Sequence, residues 1–246
     1  MDTSTAYKLI ELNRRFYDTF AAEYANSRSA FQPGIPCALA ILGHVDSVLD
    51  VGCGDGRVAR ALAAGSIPNA SAVHYVGVDF SPKLIGYSPP PGSPLLQADI
   101  SQVGWPDVLA PIIRTLPHIA FDAIVCFSVL HHLPGADRQL RLLREMHSLV
   151  KPAGRLALSV WQFLHVPRLQ RKVVRWEEVG LTSAEVDSGD YLLDWQRGGR
   201  GLRYVHQFDE AELVDLCARA GFEILETFRS DGATGDMGFF IIAEAN

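Results

Sequence analysis

The sequence predicts a doubly wound α/β fold: a mostly parallel sheet of seven strands, helices on both faces, and an antiparallel hairpin at the C-terminal edge. Three observations predict it. Short strand-like apolar runs alternate with helical periodicity from Val45 to Trp161. The first of these runs leads directly into a cluster of glycines. The chain closes on two strand runs with no helix between them. Alternation of this kind implies right-handed crossovers and a covered parallel sheet.

The leading segment, Ala6 to Tyr24, spaces Leu9, Leu12, Phe16, Phe20 and Tyr24 as one helix. A second helix is expected after Pro33-Gly34, because proline suits a helix start and Cys37 to Leu42 is apolar. Residues 1–44 therefore read as a helical cap. Strand Val45 to Val51, helix Val58 to Ala64, strand Val73 to Val78 and a helix opening at Ser81-Pro82 follow. A proline-rich loop, Pro89 to Pro94, precedes a third strand at Leu95 to Ala98. Trp105 to Leu116 reads as helix and Phe121 to Phe127 as the clearest buried strand. Helix Gly135 to Val150, a turn at Lys151-Pro152-Ala153-Gly154 and strand Arg155 to Trp161 come next. The rhythm breaks over residues 162–206, an insertion on the substrate side with one basic helix and the glycine-rich run Gly198-Gly199-Arg200-Gly201. A helix from Asp209 to Ala220, capped by Gly221, leads to the closing strands Phe222 to Arg229 and Met237 to Ala243. One domain over residues 1–246 accommodates all of this.

At 246 residues the chain can bury a substantial core. No run of about 18 apolar residues is present, so no membrane span is expected. The first twenty residues read as an amphipathic helix, not a signal peptide. Cys37, Cys53, Cys126 and Cys217 are scattered, without the close pairs that zinc sites use, so no metal is expected. Free thiols suit a cytoplasmic protein. The net charge of −6 argues against general coating of nucleic acid, but it is unevenly spread. Between Asp137 and Arg175 nine Lys or Arg face two acids. That asymmetry fits an anionic partner or solvated helix faces balanced by acidic neighbours.

Val48-Leu49-Asp50-Val51-Gly52-Cys53-Gly54-Asp55-Gly56 is a strand running into alternating glycines, which let backbone turn sharply and approach a ligand. At the end of the next strand, Asp79 can accept both hydroxyls of a ribose. A nicotinamide dinucleotide is a rival, since Gly54 to Ala59 fits the loose G-x-G-x-x-A pattern. Two details weigh against it. Asp50 ends the strand where it can meet a cationic amino acid group. Asp55, and Asp99 in Gln97-Ala98-Asp99, are poor neighbours for a pyrophosphate but suit a sulfonium. The run from Asp50 to Gly56 resembles the glycine loop of class I methyltransferases, which implies S-adenosyl-L-methionine as cofactor. Asp79 and Asp99 match that family's ribose-binding and adenine-side acids. The expected cofactor wall is Asp50, Gly52, Cys53, Gly54, Asp79, Phe80, Asp99, Ile100 and Ser128.

The ligand crevice of such a sheet lies beyond the carboxyl ends of its strands, so Ser128 to His132 should flank the reactive methyl group. His131 and His132 are equally readable as a helix-start pair bonded to backbone. The stretch from His131-His132-Leu133 through Arg138, Leu143-Arg144-Glu145, Leu149 to Gly154 and Val160-Trp161 resembles the tRNA wobble-uridine methyltransferases. Phe16-Tyr17-Asp18, Tyr24, Ser27-Arg28, Gly189-Asp190-Tyr191-Leu192, Trp195, Arg203-Tyr204-Val205-His206 and Ala220-Gly221-Phe222 are similar to the same family. Its members methylate the carboxylate of 5-carboxymethyluridine in the anticodon loop of tRNA and include the methyltransferase domain of an AlkB-type tRNA hydroxylase. The resemblance implies that tRNA substrate, and for eukaryotic members a small zinc-containing activator subunit. This chain departs from the pattern at Asp194, where proline is expected, at Ala153, where glycine is usual, and over Asp231 to Asp236.

A carboxylate acceptor is already ionised and needs an orienting donor clamp, not a strong base. Tyr191, Arg203, Tyr204 and His206 supply such groups, unless Arg203 and Tyr204 belong to a strand whose polar side chains face solvent. A phenolic acceptor would need a base, for which His131 stands ready. His131, Tyr191, Arg203 and His206 are therefore the candidate catalytic residues. Tyr191 and Trp195 would stack on an unpaired base or plug the sheet end. Arg168, Arg171, Lys172 and Arg175 would form one helical stripe, for phosphates or for solvent. The alternatives to tRNA are a small-molecule O-, N- or C-methyltransferase and a non-catalytic cofactor-binding subunit.

Overall fold

The Asp2 carboxylate accepts the backbone N–H of Thr5 at 2.7 Å and so opens α1 (Thr3–Thr19). The structure is a computed structural model describing residues 1–27, 32–65, 73–86, 92–116 and 120–246. Arg28 and the Pro89 to Pro91 part of the proline-rich loop lie outside the described residues. Helix α1 buries Ala6, Leu9, Ile10, Asn13, Phe16 and Tyr17 along one face. Phe20 leaves helical geometry, so the single leading helix read from the sequence is two, α1 and α2 (Ala21–Asn26). α3 (Gly34–Leu42) follows, entered from Pro33.

The alternating region then runs β1 (Ser47–Val51), α4 (Arg57–Ala63), β2 (His74–Asp79), α5 (Pro82–Ile85) and β3 (Leu95–Gln97). A tight helical turn at Trp105–Leu109 continues into α6 (Ala110–Ile113), and β4 (Phe121–Phe127), α7 (Ala136–Leu149) and β5 (Val150–Trp161) complete it. The insertion holds α8 (Pro167–Gln170), β6 (Val173–Val174), β7 (Asp190–Trp195) and β8 (Gly201–His206). α9 (Glu210–Arg219), β9 (Phe222–Ser230) and β10 (Gly238–Ala245) end the fold.

The main sheet has seven strands in the order β3-β2-β1-β4-β5-β10-β9, the first five parallel and β10 antiparallel to both neighbours. The expected doubly wound α/β class and antiparallel hairpin are both present. β10 sits inside the sheet because its residues from Gly238 to Ala243 are all buried, whereas β9 is largely open to solvent and takes the edge. β1 and β4 are buried throughout, as strands covered on both faces must be. One face packs Leu142, Leu143 and Met146 of α7 with Leu213 and Leu216 of α9. The other packs α3 and α4 through Leu39, Leu42, Val58 and Leu62. Each such side chain contributes roughly 1.5–3 kcal/mol by burial.

Two expectations are corrected. Lys151 to Gly154 is not a turn but an irregularity inside β5: Phe121 of β4 pairs with Val150, and Ala123 next pairs with Arg155. The basic helix is not formed. α8 stops at Gln170, and Val173–Val174 pairs instead with Leu192 and Leu193 of β7, so the four cations do not share a helical stripe. β-Branched residues with a strand partner available prefer the ladder to another helical turn. The insertion is therefore largely an antiparallel sheet, β6-β7-β8. Asn13 of α1 fastens its free edge: its side chain accepts Tyr204 N–H at 2.8 Å and donates to Tyr204 O at 3.1 Å. This satisfies an edge-strand backbone and seats α1 against β8.

Candidate active site

All parallel strands deliver their carboxyl ends to one edge of the sheet, and a cleft of about 1170 Å³ opens there. Gly52, Gly54 and Gly56 turn the chain out of β1 with φ of 77°, 55° and 79°. A Cβ on Gly52 would stand 2.2 Å from Val129 Cγ2, whereas one on Gly54 would meet nothing within 4 Å, because that backbone faces open cleft. Asp79 accepts the N–H groups of Gly54 and Ser81, each at 2.9 Å, and so locks the loop to the end of β2. Asp50 accepts the Tyr75 hydroxyl at 2.7 Å. Asp99 accepts Ser101 N–H at 3.0 Å and pairs with Arg14 of α1. Asp50, Gly52, Cys53, Gly54, Asp79, Phe80, Asp99, Ile100 and Ser128 all line this cleft.

Its electrostatics select a cation. Burial pushes the Asp50 carboxyl up to about 7, against the Tyr75 hydrogen bond and with help from Asp79 and Asp55. Burial likewise lifts Asp79 to about 6 despite three backbone N–H groups. Carboxylates crowded this way gain most from a positively charged ligand.

A second cavity, of about 1000 Å³, shares Tyr24, Ile35, Arg57 and Ser128 with the cleft. Ser128 holds φ of 62°, with its N–H directed at Ser159 O and Oγ. Here the charge is reversed: Arg57, Arg168, Lys172, Arg197 and Arg203 face one carboxylate, Asp231. Burial pushes the Lys172 ammonium down, and Arg203 and Arg168 push the same way. Arg203 is only 5 % exposed, with its guanidinium carbon 4.6 Å from the Trp161 ring, 5.2 Å from Phe16 and 5.5 Å from Trp195.

A family model described as "Methyltransferase domain" matches residues 8–227. The chain belongs to this methyltransferase family. A putative methyltransferase of Encephalitozoon cuniculi is 27 % identical over 180 residues, covering 73 % of this chain and 71 % of that one. The tRNA (carboxymethyluridine(34)-5-O)-methyltransferase of Arabidopsis thaliana is 28 % identical over 147 residues, 60 % of this chain but 32 % of that protein. The chain thus matches about a third of the Arabidopsis protein. Among solved structures, the 1,6-didemethyltoxoflavin-N1-methyltransferase of Burkholderia thailandensis, with bound S-adenosylhomocysteine, superposes with a TM-score of 0.62 at 17 % identity, over 100 % of this chain and 92 % of that one. The S-adenosylhomocysteine held by that neighbour is the demethylated form of S-adenosylmethionine, the cofactor expected from the glycine loop. The residues present fit it: the open backbone at Gly54 leaves room, and Asp50 and Asp79 supply countercharge.

Of the four candidate catalytic residues, the fold brings only Arg203 to the second cavity. It is enclosed, so the solvent-facing reading of its strand does not hold, and Tyr204 is likewise buried with its hydroxyl on Asp190 at 2.6 Å. His131 is fully buried behind the site, accepts Trp161 N–H at 3.4 Å and lines neither cavity. Tyr191 packs on Phe163, ring centroids 5.4 Å apart. His206 stands between Asp190 (2.8 Å) and Glu212 (3.1 Å), away from both cavities. Among the described residues no group of three His, Cys, Asp or Glu is placed to hold a metal, and no helix is long and apolar enough to cross a membrane.

Residues outside the candidate set also line the two cavities. His132, not His131, lines the cofactor cleft, with Tyr17, Arg14 and Tyr24 of the leading helices. Arg57, the first residue after the glycine loop, faces both cavities. Tyr17 lies on α1 and Tyr24 on α2, with ring centroids 4.9 Å apart across the break at Phe20.

Proposed function

We propose that the protein methylates the carboxylate of a 5-carboxymethyl-type wobble uridine in tRNA, giving a methyl ester. The observation that carries this reading is Arg203, buried among three aromatic rings in a cation-lined cavity that opens on the cofactor cleft. The printed name of the Arabidopsis relative supports the same acceptor. The reading implies a workplace with tRNA in the cytoplasm.

When bound, S-adenosylmethionine supplies an electrophilic methyl carbon, and an acceptor oxygen forms the new O–C bond as the sulfur keeps the electrons of the broken C–S bond. No proton leaves the acceptor, so the absence of His131 from the cavity wall is no obstacle. The remaining task is orientation. Arg203 presents a planar fork suited to two carboxylate oxygens, and Trp161, Phe16 and Trp195 fix its plane. Arg57 and Ser128, common to both cavities, would stand beside the acceptor and the methyl group. Tyr17 of α1 and Tyr24 of α2 wall the cleft on that side.

The test uses purified protein, methyl-labelled cofactor and bulk tRNA from cells lacking their own wobble-uridine methyltransferase. Label on tRNA that mild alkali releases is the expected result, and Arg203→Lys should lower its rate roughly 100-fold. Alkali-stable label would move the chemistry to a base or ribose and overturn the carboxylate reading. Absence of label, both alone and with a small activator subunit added, would favour a small-molecule acceptor.

A further inference from the structure

We propose that the mouth of the acceptor cavity is a phosphate subsite built by Arg168, Lys172 and Arg197, so that the acceptor is a nucleotide bearing its own phosphate beside the methylated group. The inner charge, at Arg203, rests on the carboxylate reading above; the outer subsite stands on separate residues.

Three separate segments converge there. Arg168 lies on α8, Lys172 in the link to β6, and Arg197 in the turn between β7 and β8. Several arginines of the fold are committed to carboxylates, among them Arg60 to Asp55, Arg141 to Glu145, Arg229 to Glu210, and Arg200 of the same turn to Asp194 and Glu178. Among the described residues Arg168, Lys172 and Arg197 make no ion pair with a carboxylate. Asp231, the one acid in the lining, accepts Gly34 N–H at 2.8 Å. Asp194, nearby, is held by Arg200 at 3.1 Å and Gln196 at 2.6 Å.

Clustered cations repel one another, and the depressed ammonium of Lys172 records that repulsion together with its burial. With Arg57 and Arg203 in the same lining and Asp231 its one acid, the cavity retains a charge that an anion neutralises. A single carboxylate is met by Arg203 alone, deeper in the cavity. Lys172 and the two arginines add a point charge and two planar forks, the donor set that holds phosphate oxygens.

The experiment measures binding to the S-adenosylhomocysteine-loaded protein, which cannot turn over, by calorimetry at fixed ionic strength. The probes are uridine, 5-carboxymethyluridine, the 3′,5′-bisphosphate of each, and inorganic phosphate. Phosphorylation should tighten both nucleosides by about tenfold or more. In Arg168→Gln/Lys172→Gln that gain should fall below about threefold, while binding of the plain nucleosides is unchanged. Arg197→Gln, on an exposed turn, should lose part of the gain and serves if the double variant fails to fold. Equal binding of plain and phosphorylated nucleosides, or a gain that survives in the variants, would overturn the proposal. Inorganic phosphate binding as tightly as the bisphosphates would make this a free-anion site and overturn it too. A phosphate gain without any carboxymethyl gain would instead sink the carboxylate reading and leave the subsite standing.

Discussion

The Tyr17 hydroxyl donates to Nε2 of His132 at 2.8 Å, while Nδ1 of the same ring donates to Tyr204 O at 3.0 Å. A carbonyl can only accept, so Nδ1 carries the hydrogen and Nε2 is left to accept. One ring thereby joins α1, the end of β4 and the strand bearing Arg203. Tyr17→Phe should lower stability by about 1 kcal/mol in urea unfolding and weaken cofactor binding severalfold, since both residues line the cleft. Wild-type values for both would show that the bridge positions nothing.

Cofactor affinity should rise with pH. Asp50 and Asp79, lifted to about 7 and about 6, must ionise to receive a cationic ligand. At pH about 6 roughly a tenth of Asp50 is ionised, so S-adenosylmethionine should bind about tenfold more weakly than at pH about 8. Asp50→Asn should flatten the upper part of that profile in calorimetric titrations. The ligand-free protein behaves oppositely. Its folded state holds protons that the unfolded chain has lost between pH about 4 and about 7, so these two groups stabilise it less as pH rises across that window.

Backbone geometry separates two small substitutions. Gly52→Ala adds a Cβ at 2.2 Å from Val129 to a left-handed residue, and should cost about 2 to 4 kcal/mol and abolish cofactor binding. Ala153 has φ of 57°, which accounts for glycine being usual there. Ala153→Gly should therefore stabilise the protein by about 0.5 to 1 kcal/mol, read from the urea midpoint, with activity unchanged.

His206 should make stability fall on the alkaline side. Burial alone would lower its pKa, but Asp190 and Glu212 outweigh it and the folded value is raised. The stabilisation is complete below the unfolded value of 6.5 and is lost as pH rises through the higher folded one. Thermal melts from pH 6 to 9 should show this loss, and His206→Gln should remove it. A variant with the wild-type slope would mean that the histidine is neutral in its carboxylate clasp.

The cofactor side was legible because its requirements are local. Gly52 and Gly54 adopt left-handed conformations dictated within one turn, and Asp79 reaches back to the loop from the end of the adjacent parallel strand. Strand, glycines and acid form a pattern readable along the chain. The acceptor side obeyed no such pattern. The spacing of Arg168 and Lys172 predicts a shared helix, but α8 ends at Gln170 and Val173–Val174 pairs with β7, about twenty residues on. His131 and His132 are chemically identical neighbours, and the turn after β4 decides which of them faces the cofactor.

By itself, then, the sequence determined the alternation of strands and helices that builds the parallel sheet, the antiparallel ending and the residues that line the cleft at the strand ends, because hydrophobic periodicity and backbone freedom act over a few residues. The tertiary structure alone decided that Arg57, Arg168, Lys172, Arg197 and Arg203 share one cavity and that Trp161, Phe16 and Trp195 enclose Arg203. Electrostatic and aromatic contacts act through space between elements up to about 190 residues apart, as Asn13 is from Tyr204. No local spacing encodes them.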